Sequence, residues 1–410
     1  MKKSAYTAQI LAVGNELLRG ECLDTNSGYL SKKVAPLGVK IVRVTQVSDE
    51  LRELIAALKE ARKKTGLLFV TGGLGPTHDD RTREALAKAT GRPLRLEPSL
   101  LQTIETRFRS RNLPMPSLNR LQAYLPKGGA PLSNPIGSAP GIYLRDGRCQ
   151  IFCLPGVPQE FSRMLDQEVL PILKRTVRRR SPFPFRRLRT TGLQESLVAE
   201  HLADLIEKEK TLTFGLYAHP GIVDVTVTGR KKDLSRALAA IRRRLAPFIF
   251  GKDEETMEEV VFALLQKRKK SVSVGESCTG GMISAALTSL PGSSNHFQAG
   301  IVAYQNRIKQ TFLKVPQRAL SRHGAVSAPV AKAMAEGARK IGRSDLGLGI
   351  TGILGPTGGS REKPVGLVYI ALATPKETTC HEYRFQGSRD MIRRRVVVAA
   401  LELLRKELRS

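Results

Sequence analysis

A serine and a cysteine stand side by side at positions 277 and 278, inside the run GESCTGG. Either side chain can attack a carbonyl when a base takes its proton and N–H groups stabilise the oxyanion that forms. The stretch before the run, KSVSV, alternates small polar residues with valine as a half-buried strand does, and MISAALTSL after it has helical spacing. Ser277 and Cys278 therefore belong to a strand-to-helix turn. There the free N–H groups of the new helix are expected to face an anion or a developing oxyanion. The plainer alternative is that Ser277 caps the helix and the glycines tighten the turn.

A base is present further on, in VAYQNRIKQ. Tyr304 closes a strand-like segment and Lys309 follows about one helical turn later, so both can reach a neighbouring strand end that carries Ser277. A desolvated lysine titrates low enough to accept a serine proton, which gives a Ser–Lys pair with the tyrosine as relay. Cys278 as nucleophile would instead want a histidine or an Asp/Lys pair. His296 and His323 are present, and their spacing singles out neither.

A second constellation lies in TGGLGPTHDDRTREA, residues 71 to 85. Its glycines let backbone approach a phosphate, and the adjacent Asp79 and Asp80 offer hard oxygen ligands to a divalent cation, as in a metal-bound pyrophosphate site. Capping of the next helix by Asp80 or Thr82 explains one acidic residue but neither the second nor the glycines. NPIGSAPG (134 to 141) and CLPGVPQEF (153 to 161) are two more loops able to close over a ligand, or simple Pro/Gly turns.

The elements that position these residues alternate. AQILAVG, VKIVRVTQV and LLFVTGG are strands, with helices at NSGYLSKKVAPLG, ending at Gly38, and LRELIAALKEARKK, which predicts a doubly wound α/β sheet. Ligands of such sheets bind beyond the carboxyl ends of the strands, where GNELLRGECLDTN and the Asp79–Asp80 loop fall. A basic linker near 174 to 188 leads to a small α+β connector with no catalytic cluster. From KDEETMEEVV the pattern alternates again, with strands at SVSVGES, HFQAGIVAYQ, DLGLGITG and GLVYIALAT and helices from Ser277, near Asn306, from Ser327 and from Arg389. The division is therefore 1–172, 186–251 and 253–410. TGGLGPT and TGILGPT, each after an apolar strand, echo one another across the outer two, by duplication or by coincidence.

The chain of 410 residues, 41% hydrophobic, is long enough for several cores. It has no apolar run of about 18 residues, so no membrane span is expected, and no signal-peptide cleavage pattern follows the first residues. Five cysteines without a C-x-x-C pair argue for reduced thiols and a cytoplasmic location, with Cys149 and Cys153 as packing residues of a strand. The net charge of +30 favours anionic ligands. It supports nucleic acid only weakly, because the basic runs KRTVRRRSPFPFRRLR, IRRRL and QKRKK lack interleaved aromatics and the chain has no tryptophan.

Taken in order, GESCTGG, AGIVAYQNRIK, HGAVS, TGILGPTGGSREKPVGLV and FQGSRDMIR resemble the CinA C-terminal domain, the family of nicotinamide-nucleotide amidases of the PncC type. GNELLRGECLDTN, TGGLGPTHDD and LPGVPQE resemble the CinA N-terminal domain, which is related to the molybdopterin-binding fold. The resemblance implies that Ser277 is the nucleophile, that Tyr304 and Lys309 handle its proton, and that nicotinamide mononucleotide is hydrolysed to nicotinic acid mononucleotide and ammonia. It puts Gly275, Thr279, Gly280, Thr351, Gly352, Arg389 and Arg393 around that substrate, with Arg389 or Arg393 on its phosphate. For some members it implies ADP-ribose hydrolysis with a divalent metal (Mg, Mn or Co), held here by Asp79 and Asp80, with the nucleotide against Gly72, Gly73, Gly75 and Thr77. A homodimer is expected.

Three departures from the family pattern stand out. Asn15 replaces a common Asp, Leu354 replaces a small residue and would narrow the pocket, and the connector, similar to a KH segment, lacks the G-x-x-G loop needed for RNA. Two rival readings accompany the amidase: a protein that binds a pterin or nucleotide without turnover, and a nucleic-acid-associated competence factor.

Overall fold

The computed structural model describes residues 6–177 and 185–410, so the middle of the basic linker, 178–184, lies outside the described residues. The chain forms two compact units, Met1–Pro184 and Phe185–Ser410.

The first unit is built on a six-stranded sheet. Its strands are β1 (Tyr6–Val13), β2 (Val39–Val47), β3 (Leu67–Thr71), β6 (Ala130–Leu132), β7 (Gly141–Asp146) and β8 (Cys149–Leu154), in the order β2-β1-β3-β8-β7-β6. The first four are parallel, and β7 and β6 are added antiparallel at one edge. Two short strands, β4 (Leu94–Leu96) and β5 (Tyr124–Pro126), pair separately.

Every residue of β3 and β8 is buried, as strands covered on both faces require. Alternate residues serve opposite cores: Leu68 and Val70 pack with Leu54, Leu58 and Leu86, whereas Leu67 and Phe69 pack with Leu30, Phe161 and Met164. Cys149 and Cys153 are buried in the first of these cores with their thiols pushed up to about 12 by burial. They are packing residues.

The second unit contains two sheets. β9 (Phe185–Thr191), β10 (Thr213–His219), β11 (Ile222–Thr228) and β12 (Ile249–Lys252) form an antiparallel sheet of order β10-β11-β9-β12. Helices Glu195–Lys208 and Lys231–Leu245 bury Val198, Leu202, Ala237 and Ile241 against it. The other sheet runs β14-β13-β15-β16-β17, from β13 (Val272–Glu276), β14 (Phe297–Val302), β15 (Leu346–Gly352), β16 (Leu367–Ala373) and β17 (Thr378–Arg384).

β13, β14 and β15 are parallel, so the segments that follow them emerge at one end of the sheet. On one face, helix Ala328–Ile341 comes so close that a side chain at Gly347 or Gly349 would strike the backbone of Ala335 or Ala331. On the other, helices Met257–Arg268 and Arg389–Arg409 close the largest core, to which Phe250 of β12 also belongs. The sequence reading missed β17. It is a half-buried edge strand whose largely polar residues carry no apolar alternation.

Candidate active site

Ser277 follows β13 directly and is fixed by its own amide, which donates to Ile350 O of β15 at 3.0 Å. Lys309 sits in the short helix Asn306–Thr311 after β14, 1% exposed. Its Nζ donates to Ser277 Oγ at 3.0 Å, Ala303 O at 2.8 Å and Tyr304 O at 3.0 Å. Two carbonyls and a hydroxyl thus hold this nitrogen, and no carboxylate. Burial pulls its pKa below the ordinary lysine value, which favours the neutral amine that a base must be.

Cys278 points the other way. It is buried in the main core beside Val274, Leu354 and Val368, and burial pushes its thiol up to about 12. A protonated, enclosed thiol is not a nucleophile at neutral pH.

The turn itself differs from the expectation. The helix does not begin at Ser277 but at Met282, after Gly280 and Gly281 at φ +62° and +94°, a left-handed bend that suits glycine. Its leading amides are not free. Glu276, fully buried at the end of β13, accepts from the amides of Gly281 at 2.9 Å, Ile283 at 3.2 Å and Ser284 at 2.8 Å, and from Ser284 Oγ at 2.6 Å. The donors left for an oxyanion are the amides of Thr279 and Gly280, which have no partner among the described residues, and that of Cys278, which meets only its own thiol. Sequence reasoning overlooked Glu276. The available signal was an acidic residue at the end of a strand of small and apolar residues, next to the nucleophile.

The other assigned residues divide. Arg393 donates from Nη2 to Thr279 O at 2.7 Å, and Arg389 donates to Gly355 O at 2.8 Å and to the Tyr304 hydroxyl at 3.3 Å. The first turns of the last helix therefore meet the Ser277 turn, and Thr279 Oγ1 and Arg393 Nε are buried there without partners. Tyr304 is 61% exposed; its carbonyl, not its hydroxyl, contacts Lys309, so the relay expected of it is not formed. Thr351 uses its hydroxyl on Ala325 O at 2.8 Å, tying down the HGAVS loop. Gly275 and Gly352 are packing positions, where a side chain would meet Leu313 and Val368. Leu354, expected to narrow the pocket, is 3% exposed and belongs to the core behind it.

The N-terminal loop is closed by its own residues. Thr77 gives its amide to Asp80 at 2.9 Å and its hydroxyl to the same carboxylate. Side chains at Gly73 and Gly75 would collide with Thr82 and Asp80, and at Gly72 with the backbone of Val13. These glycines make room for the chain itself. Neither Asp80 nor Thr82 caps the following helix, whose N-cap position is Arg81; Thr82 Oγ1 donates to Gly72 O at 2.7 Å. Arg83 is buried under the loop with its pKa lowered to about 10 by burial. Its guanidinium holds Leu74 O and Gly75 O. Asp79 is more than half exposed, and no group of three or more His, Cys, Asp or Glu able to hold a metal occurs among the described residues. A hydrogen bond from Thr77 holds the Asp79 carboxyl below the usual carboxylate range, and His78 faces it at 4.0 Å; two carboxylates so engaged do not fit a resident divalent ion on their own.

The remaining loops close similarly. Asn134 Nδ2 donates to Glu160 at 2.7 Å, joining NPIGSAPG to LPGVPQE. Asn26 bridges Thr71 Oγ1 and Gly156 O at 2.9 and 2.8 Å. The amide of Asn15 donates to Asp49 at 2.9 Å. No described helix is long and apolar enough to cross a membrane.

An α/β domain of molybdopterin-binding type, a KH-like connector and a third α/β domain with a buried serine–lysine pair define the class. The corresponding family models match residues 9–175 (probable molybdopterin binding domain), 185–251 (damage-inducible protein CinA KH domain) and 254–408 (CinA C-terminal domain). The chain belongs to the CinA family. A relative with a competence-damage inducible name from Caldicellulosiruptor bescii is 43% identical over 98% of this chain and 99% of its own. A CinA-like protein of Anaeromyxobacter sp. is 42% identical over 98% and 99%. Among solved structures, the competence/damage inducible protein of Agrobacterium tumefaciens is 39% identical, covering 38% of this chain and 94% of its own, with a TM-score of 0.37.

Proposed function

We propose that the C-terminal domain hydrolyses the amide of nicotinamide mononucleotide to nicotinic acid mononucleotide and ammonia. The observation that carries this reading is the 3.0 Å contact between Lys309 Nζ and Ser277 Oγ, with the lysine buried and unpaired to any acid. In its neutral form Lys309 takes the proton of Ser277 as Oγ attacks the carboxamide carbon. The oxyanion then falls to the amides of Cys278, Thr279 and Gly280. Lys309, now an ammonium, returns the proton to the departing nitrogen, and ammonia leaves an ester on Ser277. Water attacks that ester with Lys309 again as base. The phosphate is assigned to Arg389 and Arg393, each with guanidinium donors beyond those held by the protein. Ammonia release from nicotinamide mononucleotide by purified protein tests the reading; no release sinks it.

For the N-terminal domain we propose binding of a nucleotide or pterin at the loops beyond β1, β3 and β8. A titration with ADP-ribose tests this reading: binding without formation of AMP and ribose 5-phosphate supports it, and turnover that needs a divalent metal overturns it.

A further inference from the structure

Away from Ser277, a cleft of about 350 Å³ opens between the KH-like sheet and the helices of the C-terminal domain. Its floor is apolar, from Leu188 and Phe250 on the sheet side and Val260 and Leu264 on helix Met257–Arg268. Its rim is cationic. Arg242, Lys252 and Arg409 line it, and none of them makes an ion pair among the described residues. The single acidic side chain in the lining, Glu255, is turned to the Lys252 amide at 3.0 Å.

Arg405 also lines the cleft and is 2% exposed. Its Nε and Nη2 are satisfied by Glu402 at 2.6 and 2.8 Å, but its Nη1 is buried with no acceptor. A buried guanidinium N–H without a partner is unfavourable, and native structures rarely leave one so. Here the side chain that carries the unmet donor lines a cavity walled by three more cations. Glu402 already meets the charge of the guanidinium; what Nη1 lacks is an acceptor.

We propose that this cleft binds a small phosphorylated molecule with an aromatic or apolar part, of about the size of a mononucleotide. The phosphate oxygens meet Arg405 Nη1 and the rim arginines, and the ring lies on Phe250, Val260 and Leu264. The volume stands near the lower end for small-molecule sites, which suits one nucleotide and not a strand of nucleic acid. None of the lining residues belongs to the Ser277 turn. The two places share one element, however: Arg405 and Arg409 close the same helix whose first turns carry Arg389 and Arg393. A ligand in the cleft therefore bears on the far end of a helix that helps to build the amidase site.

The test is calorimetric titration of the full chain with AMP and with inorganic phosphate. Three forms are compared: the wild type, Arg242→Ala/Arg409→Ala, and Arg393→Ala. AMP is expected to bind the wild type more tightly than phosphate does, to keep its affinity in Arg393→Ala, and to lose about tenfold or more in the double variant. Absence of AMP binding at millimolar concentration overturns the proposal. So does binding that disappears in Arg393→Ala and survives in Arg242→Ala/Arg409→Ala, because the nucleotide is then in the Ser277 turn. Equal affinity for phosphate and AMP overturns the part assigned to the apolar floor.

Discussion

Lys309 Nζ lies 3.0 Å from Ser277 Oγ, and its other two partners are backbone carbonyls. A lysine held in this way gains nothing from a counter-charge and loses hydration, so burial shifts it toward the amine form.

Ser277→Ala is expected to lower ammonia release by about three orders of magnitude or more, as deletion of a nucleophile does. Cys278→Ser should stay within a few-fold of the wild type, because that thiol is buried and protonated. Steady-state assays of both variants decide: inactivation of Cys278→Ser together with an active Ser277→Ala would mean a cysteine mechanism.

The pH profile of kcat/KM should rise through the folded-state pKa of Lys309, which burial lowers from the lysine value of 10.5. The sign for stability runs the same way. Between the lowered folded pKa and 10.5 the unfolded chain binds the extra proton, so this group makes stability increase with pH across that window, and below it the burial cost is fully present. In Lys309→Met the ascending limb should vanish with the activity. A variant that kept both would remove the lysine from the mechanism.

Glu276 positions the turn without touching the reacting atoms. Glu276→Gln replaces one acceptor oxygen by a donor that faces amides, so kcat should fall about a hundredfold through displacement of Ser277. Unfolding by urea should show a loss of roughly 3 kcal/mol. KM should change less than kcat. An unaltered kcat at reduced stability would make Glu276 a purely structural carboxylate.

Hydrolysis by a serine and a lysine asks for no metal. Incubation with a chelator is expected to leave ammonia release within experimental error of the untreated protein, and Asp80→Asn to do the same. Loss of the amidase in either case would tie the Ser277 site to a metal that these residues do not explain.

A fragment beginning at Asp253 should fold and release ammonia, since Glu276, Ser277, Lys309, Arg389 and Arg393 all lie within it. It should melt lower than the fragment 185–410, because it loses Phe250 and Ile222, which pack on its core. Circular dichroism with the ammonia assay separates a folded inactive fragment, which would show that the KH-like sheet completes the site.

Much of this molecule was written in local patterns. Helix Leu51–Lys64 and the strands at 39–47 and 67–71 follow from apolar spacing, and Gly38 ends its helix in a left-handed conformation. The nearness of Lys309 to Ser277 was also legible, since parallel strands deliver their carboxyl ends to one edge. What the sequence could not say is which polar atoms those groups would find. Whether Ser277 or Cys278 faces the lysine depends on which side of the turn the core occupies, and only packing put Cys278 inward. The helix amides looked free until a buried carboxylate from the preceding strand took them, and the glycines of 72 to 75 looked open until Asp80 and Thr82 folded over them. Spacing along a chain sets which residues can meet; burial and competition for hydrogen bonds, which are properties of the folded whole, decide which of them do.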